Sequence, residues 1–377
     1  MFRNRELAEI FGTPLYVYDL DRVAASYRDL HEALPPEFVI FYSLKANPHP
    51  DVASALGVFE GRRACRAEVG SVTELAVALE AGFKASECLY MGPDETESDL
   101  VIAVSRGVQT FSVESLSDLE RVGSAARRVG TVIDCLLRIN TAGQSGLAGT
   151  GVTGTPARLG IDSESIREQL PMLRSVDGVR LVGAHFNSPS NARDEPSLIG
   201  ELTQTVRTAA RLFAEFCLPM RFLNIGGGFW TPYAVPGNRP VYPNLRAELE
   251  SALDAHFPCW RLGTPRIACE SDCYLVGDCG ELISTVTNIK ESHGGQFAIL
   301  DAGMDPIGRM SGRGRLMPLE VGDVITVPNV GAYGATANLL LFLSRPAPRE
   351  VVVQGGKIVT VSQLRVRRNV GGSEAFE

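Results

Sequence analysis

The chain has 377 residues, 45% of them hydrophobic and 21% charged, with a formal net charge of −8. That length suits two domains rather than one, and an acidic balance with no Lys/Arg-rich cluster argues against nucleic acid as a partner. No apolar run approaches the roughly 18 residues of a membrane-spanning helix, and no signal-type stretch follows Met1-Phe2-Arg3-Asn4-Arg5-Glu6, so a cytoplasmic protein is expected.

In chain order, the first element is a strand, Thr13-Pro14-Leu15-Tyr16-Val17-Tyr18. Eight further strands are predicted over Val39–Lys45, Arg63–Val69, Cys88–Gly92, Thr110–Glu114, Cys135–Asn140, Leu181–Phe186, Phe222–Gly226 and Arg266–Ser271. Helical spacing of apolar residues falls between them, at Asp51–Leu56, Ser71–Ala81, Ser115–Arg128 and Leu198–Cys217. Ser71 with Glu74 is a capping-box pattern. Strand-then-helix repetition implies a parallel sheet, and eight units over this length match a closed (β/α)8 TIM barrel. An open doubly wound sheet is the alternative, but no G-x-G-x-x-G follows the first strand.

Beyond residue 273 the pattern changes to short β runs at Leu282–Ile289, Gln296–Leu300, Asp323–Val327, Glu350–Val353 and Lys357–Val361. These predict a C-terminal all-β domain, with which the first strand would pair. The expected division is a barrel over 26–272 and a β-rich domain from 1–25 and 273–377. Eight cysteines form no C-x-x-C pair, and the five histidines lack metal-ligand spacing. Reduced, mostly buried thiols are expected.

In such a barrel, functional groups sit at the C-terminal ends of strands. Those ends carry Lys45, Glu68, Arg138-Ile139-Asn140, His185, Gly226-Gly227-Gly228 and Glu270. Lys45 closes an apolar run, so burial is expected to lower its pKa and free its amine as a nucleophile. Consecutive glycines after strand seven would let backbone N–H groups approach an anion such as phosphate. Glu270 must be paired or neutralised, either by a pyridinium nitrogen or by an ion pair, for instance with Arg138. His185 would stack on a flat ring or be a satisfied core histidine. Tyr333, in Gly331-Ala332-Tyr333-Gly334, either shapes a turn or reaches a phosphate.

These motifs resemble the fold-type III, pyridoxal-phosphate-dependent decarboxylases, the group of the diaminopimelate and ornithine decarboxylases. The resemblance runs from Gly12–Tyr18, through Tyr42-Ser43-Leu44-Lys45-Ala46-Asn47, to Gly331–Gly334 and Arg345-Pro346-Ala347-Pro348. It implies the barrel-plus-β architecture of alanine racemase and pyridoxal 5′-phosphate bound as an imine on Lys45. It further implies His185 on the ring face, Glu270 at the ring nitrogen, and Ser188, Gly226, Gly227, Gly228 and Tyr333 at the phosphate. Glu68 and Arg138 match family positions lining the pocket, and a homodimer is implied.

The sequence also departs from the family. Glu270-Ser271-Asp272-Cys273 stands where Glu-x-Gly-Arg is usual, and His185-Phe186-Asn187-Ser188 where a His-x-Gly-Ser motif is usual. The Cys-x-x-x-Asp-like segment that follows the Asp-Ala-Gly-Met motif in the family has no counterpart between Asp301-Ala302-Gly303-Met304 and Met317–Asp323. Gly226–Tyr233 and Gly154–Asp162 look more like relatives in antibiotic and siderophore biosynthesis. They point to an L-amino-acid decarboxylase acting on an acidic amino acid, glutamyl or aspartyl, tethered to an acyl carrier protein. A free diaminopimelate- or ornithine-type substrate is the alternative. Two rival readings are an amino-acid racemase, against which Glu270 argues, and a non-catalytic pseudo-enzyme.

Overall fold

The computed structural model describes residues 4–59, 62–63, 65–92, 95–141, 160–186, 192–303, 318–340 and 342–366. The chain opens with a helix that the sequence pattern did not announce, α1 (Asn4–Phe11), followed by β1 (Leu15–Asp19) and α2 (Leu20–Ala33). Eight strand–helix units follow. They are β2 (Val39–Ser43) with α3 (Pro50–Gly57), β3 (Arg66–Val69) with α4 (Val72–Glu80), and β4 (Leu89–Tyr90) with α5 (Glu97–Ser105). Next come β5 (Thr110–Val113) with α6 (Leu116–Val129), β6 (Ile133–Asn140) with α7 (Ile166–Ser175), and β7 (Val179–Phe186) with α8 (Glu195–Phe216). The last two are β8 (Phe222–Asn224) with α9 (Leu245–His256) and β9 (Arg266–Ser271) with α10 (Cys273–Val276). Each strand pairs in parallel with the next, and β9 pairs back onto β2. The sheet is therefore a closed (β/α)8 barrel, and the open doubly wound alternative is excluded.

Local chemistry explains the helix starts. Ser71 Oγ accepts from the Glu74 N–H at 3.1 Å, while the Glu74 carboxylate reaches back to the Gly70 N–H at 2.7 Å, one residue short of a reciprocal box. Thr96 and Asp99 form a complete capping box on α5. Burial then fixes the helices, whose apolar faces join one core with the outward faces of the strands.

The second sheet contains β10 (Gly280–Ser292), β11 (Gly295–Leu300), β12 (Val324–Val327), β13 (Arg349–Gln354) and β14 (Lys357–Gln363). Its order is β11-β10-β1-β13-β14, with β12 also on β10. The first strand thus pairs with this sheet, antiparallel to β10 and parallel to β13. The domain edge expected at residue 26 falls inside α2, which packs on α3 and α10 on one side and on β13 on the other.

Inside the barrel, Phe41, Leu89, Leu136, Val182, Phe222 and Ala268 form one apolar layer. Alternation along a strand sends the residue two positions on to the same face. Four of the positions above that layer, Ser43, Arg138, Asn224 and Glu270, are polar, while Leu89 is followed by the buried Met91. On β7 the alternation is broken by a bulge between Leu181 and Gly183. Leu181 opposes the outward Cys135, whereas Gly183 opposes the inward Leu136 and His185 opposes Arg138. The extra residue turns His185 into the barrel. Gly183 makes this close passage possible, since a Cβ there would lie 1.6 Å from the Phe222 carbonyl oxygen.

Candidate active site

Lys45 stands just beyond its strand, in a 3-10 turn over Leu44–Ala46. Both sides of the turn are clamped. The Tyr42 hydroxyl donates to the Asn47 carbonyl at 2.6 Å, Asn47 Nδ2 donates to the Gly331 carbonyl at 2.9 Å, and the Tyr333 N–H donates to the Ala46 carbonyl at 2.7 Å. Tyr333 has φ 56°, a left-handed conformation that costs a bulky residue about 1–3 kcal/mol. Its bond to Ala46 helps hold it there.

The Lys45 side chain is 47% open, so it reaches solvent rather than packing in the core. Its ammonium donates to Glu68 Oε1 at 2.9 Å, and Ser43 Oγ donates to Glu68 Oε2 at 2.9 Å. The expected fall in the Lys45 pKa is corrected here. Burial works to lower it, but Glu68, Glu270 and Asp272 outweigh that and hold the amine above the ordinary lysine value. Burial and the nearby Glu270 push the Glu68 pKa up, against the pull of Lys45.

A polar row crosses the barrel above its apolar layer. His185 is fully buried, and its Nδ1 lies 2.8 Å from Ser112 Oγ. Its Nε2 lies 2.6 Å from Glu270 Oε1 but is not aligned for a hydrogen bond. Glu270 Oε1 accepts from Asn224 Nδ2 at 2.7 Å, and Asn224 Oδ1 accepts from the Gly226 N–H at 3.0 Å. Burial alone would raise the Glu270 pKa, yet His185, Lys45 and Arg138 hold it well below the usual carboxylate range. Among the described residues the ion pair of Arg138 is with Glu114, and its charge acts on Glu270 from farther away, in place of the direct ion pair considered from the sequence.

Beside this row lie the three glycines. Gly226 and Gly228 have φ of 81° and 101°, and a Cβ on Gly227 would sit 2.7 Å from the Glu270 carbonyl oxygen. The loop therefore lies flat on the end of β9. The Tyr333 hydroxyl donates to Asp272 Oδ2 at 2.8 Å. Ser188 lies outside the described residues.

The structure thus gathers Lys45, Glu68, His185 and Glu270, sets Gly226–Gly228 and Arg138 beside them, and brings in Tyr333 through Asp272. Ser112, Asn224 and Glu114 had not been picked out from the sequence. Asn224 carried a usable signal, because it lies two residues beyond the inward Phe222, just as Glu270 follows Ala268.

These residues fit pyridoxal phosphate at its aldehyde and ring ends. Lys45 presents an amine on an open wall, buried His185 carries an Nε2 with no aligned partner, and Glu270 is held as an anion. At the phosphate end, the glycine loop is joined by an added carboxylate, Asp272.

The chain is similar in sequence and fold to known proteins. Residues 20–277 match the model of the pyridoxal-dependent decarboxylase family, pyridoxal binding domain. The L-glutamyl-BtrI acyl-carrier protein decarboxylase of Niallia circulans is 26% identical over 402 residues, covering 93% of this chain and 91% of the relative. The diaminopimelate decarboxylase of Methanothermobacter thermautotrophicus is 28% identical over 399 residues, covering 95% and 90%. In fold, the crystal structure of the diaminopimelate decarboxylase of Methanocaldococcus jannaschii superposes with a TM-score of 0.81 at 24% identity, over 96% of this chain and 92% of that one.

Proposed function

Since the chain belongs to the pyridoxal-dependent decarboxylases, carboxy-lyases that use pyridoxal 5′-phosphate, we propose that it removes the α-carboxylate of an L-amino acid at the mouth of the barrel. The observation that carries this reading is Lys45 on an open wall facing the row Ser112–His185–Glu270–Asn224. When bound, the cofactor supplies the electron sink for the broken Cα–carboxylate bond.

The chain's own residues have distinct roles. Lys45 holds the cofactor's aldehyde carbon, and Glu68 holds the proton at Lys45 Nζ until it is released. His185, fixed by Ser112, supports the ring face. Glu270, kept anionic and oriented by Asn224, would hold the ring nitrogen. Gly226, Gly227, Gly228 and Ser188 would hold the phosphate, with Tyr333 joining them once its hydroxyl leaves Asp272, and Arg138 would line the pocket.

For the substrate we propose a glutamyl or aspartyl group tethered to an acyl carrier protein. Near-full-length similarity to the glutamyl-carrier decarboxylase supports this. Loss of the α-carboxylate requires that group to be free, so the thioester must use the side-chain carboxyl. A second reading, a free diamino acid, is favoured by the slightly higher identity to the diaminopimelate decarboxylase. The test is CO₂ release from the side-chain pantetheine thioesters of L-glutamate and L-aspartate, beside free diaminopimelate, ornithine and glutamate. Release from a thioester alone upholds the first reading, and release from a free diamino acid alone replaces it with the second. If protein loaded with cofactor releases none from any of them, a non-catalytic role takes over.

We also propose a homodimer. Phe297 (56% exposed) on β11 and Val321 (64%), Leu339 (53%) and Leu343 (69%) in the chain that follows it are open to solvent, and exposed apolar side chains that gather into a patch mark association. Light scattering that gives the monomer mass across micromolar concentrations would refute it.

A further inference from the structure

Where β9 ends, the chain runs beside the glycine loop. The Glu270 N–H donates to the Gly226 carbonyl at 3.0 Å, and Gly227 rests on the Glu270 carbonyl. Two residues on is Asp272. Its Oδ1 accepts from the Cys273 N–H at 2.6 Å, and its Oδ2 accepts from the Tyr333 hydroxyl at 2.8 Å. Both donors are taken by a carboxylate of the chain itself, and the reading above puts the cofactor's phosphate at this end of the site, beside the glycine loop. Among the described residues, no lysine, arginine or histidine forms an ion pair with Asp272. Its charge nevertheless reaches Lys45.

Resting on the reading of the site above, we infer that Asp272 is a resident anion in the phosphate seat, one that occupies Tyr333 and weakens the grip on a phosphorylated ligand. A phosphate brings a charge of about −1.5 to −2 at neutral pH. Close to a carboxylate that has no ion-pair partner among the described residues, it meets repulsion that an uncharged hydroxymethyl group does not. The site therefore prefers pyridoxal phosphate over plain pyridoxal by less than its glycine loop and tyrosine would otherwise provide. Tyr333 is recruited to the phosphate only when Asp272 releases it.

The experiment is a binding titration of cofactor-free protein with pyridoxal phosphate and, separately, with pyridoxal. Occupancy is read from the visible band of lysine-bound pyridoxal, at about 420 nm. Wild type, D272N, Y333F and the double variant are compared. D272N is expected to tighten pyridoxal phosphate by about tenfold or more, with pyridoxal changing less than about twofold. Y333F is expected to cost little affinity in the wild type and clearly more in the D272N background, a non-additivity that reports the Asp272–Tyr333 contact. Unchanged or weaker pyridoxal phosphate binding in D272N, or an equal shift for both ligands, overturns the inference. If no band forms with either ligand in any variant, the cofactor reading itself fails and takes this inference with it.

Discussion

The two mouths of the barrel are both polar and charged, yet they are built differently. The N-terminal mouth holds a cavity of about 520 Å³ lined by Arg66, Glu87, Asp134, Arg221 and Arg266, among others. Arg221 and Arg266 are exposed, and Asp134 pairs with Arg180, whose side chain is 54% open. The C-terminal mouth lies on the other side of the Phe41–Leu89–Leu136–Val182–Phe222–Ala268 layer. There His185 and Arg138 are buried and interlocked with Glu270 and Glu114. A cavity of that size does not by itself mark chemistry. Buried charge held in place by other strands marks the site better, because charges stripped of water shift one another's pKa values and exposed ones scarcely do.

The comparison can be broken experimentally. Lys45→Ala removes the group that holds the cofactor. It is expected to cut CO₂ release on the order of 10⁴-fold or more while leaving the circular dichroism spectrum intact. Retained turnover would move the chemistry away from this mouth. Glu270→Gln keeps the shape of the polar row but not its charge, and a loss on the order of 10²–10³ in kcat is expected. Gly183→Ala attacks the bulge that turns His185 inward. With a Cβ 1.6 Å from a carbonyl oxygen, it should cost about 3 kcal/mol or more, visible as a lower denaturant midpoint at unchanged slope.

Two milder tests sharpen the contrast. Glu68 is one of three carboxylates that keep Lys45 protonated. Capture of pyridoxal phosphate needs the neutral amine, so capture rises with pH. Removing one carboxylate lowers the Lys45 pKa, and Glu68→Gln should move the rise down by about one pH unit or more. A profile that stays in place would mean that Glu68 does not govern the proton on Lys45. At the other mouth, Arg221→Ala and Arg266→Ala should leave CO₂ release within about twofold and stability within about 0.5 kcal/mol. A tenfold loss from either would erase the distinction between the mouths.

Much of this was legible in the sequence. The eight barrel strands announced themselves as short apolar runs between amphipathic segments. The first strand was recognisable as a partner of the later β-rich region. Lys45, Glu68, His185 and Glu270 could be brought together because strand ends in a closed barrel share one rim. The remaining features depend on what neighbouring strands contribute. The period of β7 does not reveal the bulge that reverses its faces, so the alternation alone would point His185 outward. The direction of the Lys45 shift follows from Glu68, Glu270 and Asp272, which come from two other strand ends. Asn224 and Ser112 look like ordinary strand residues until Glu270 and His185 are placed against them. The helix Asn4–Phe11 is short, and its single fully buried residue, Leu7, is fixed by packing with Leu15, Ile283 and Val351 of the second sheet.

The place of β1 at the middle of the second sheet has a consequence for biosynthesis. Tyr16 and Tyr18 leave the ribosome 334 residues ahead of their partners Glu350 and Val352. At about 5–20 residues per second, that interval is on the order of tens of seconds. Through it the nascent chain carries an apolar strand, Leu15-Tyr16-Val17-Tyr18, with at least one open edge, the kind of segment that holdase chaperones bind and that pairs with its neighbours on a crowded polysome.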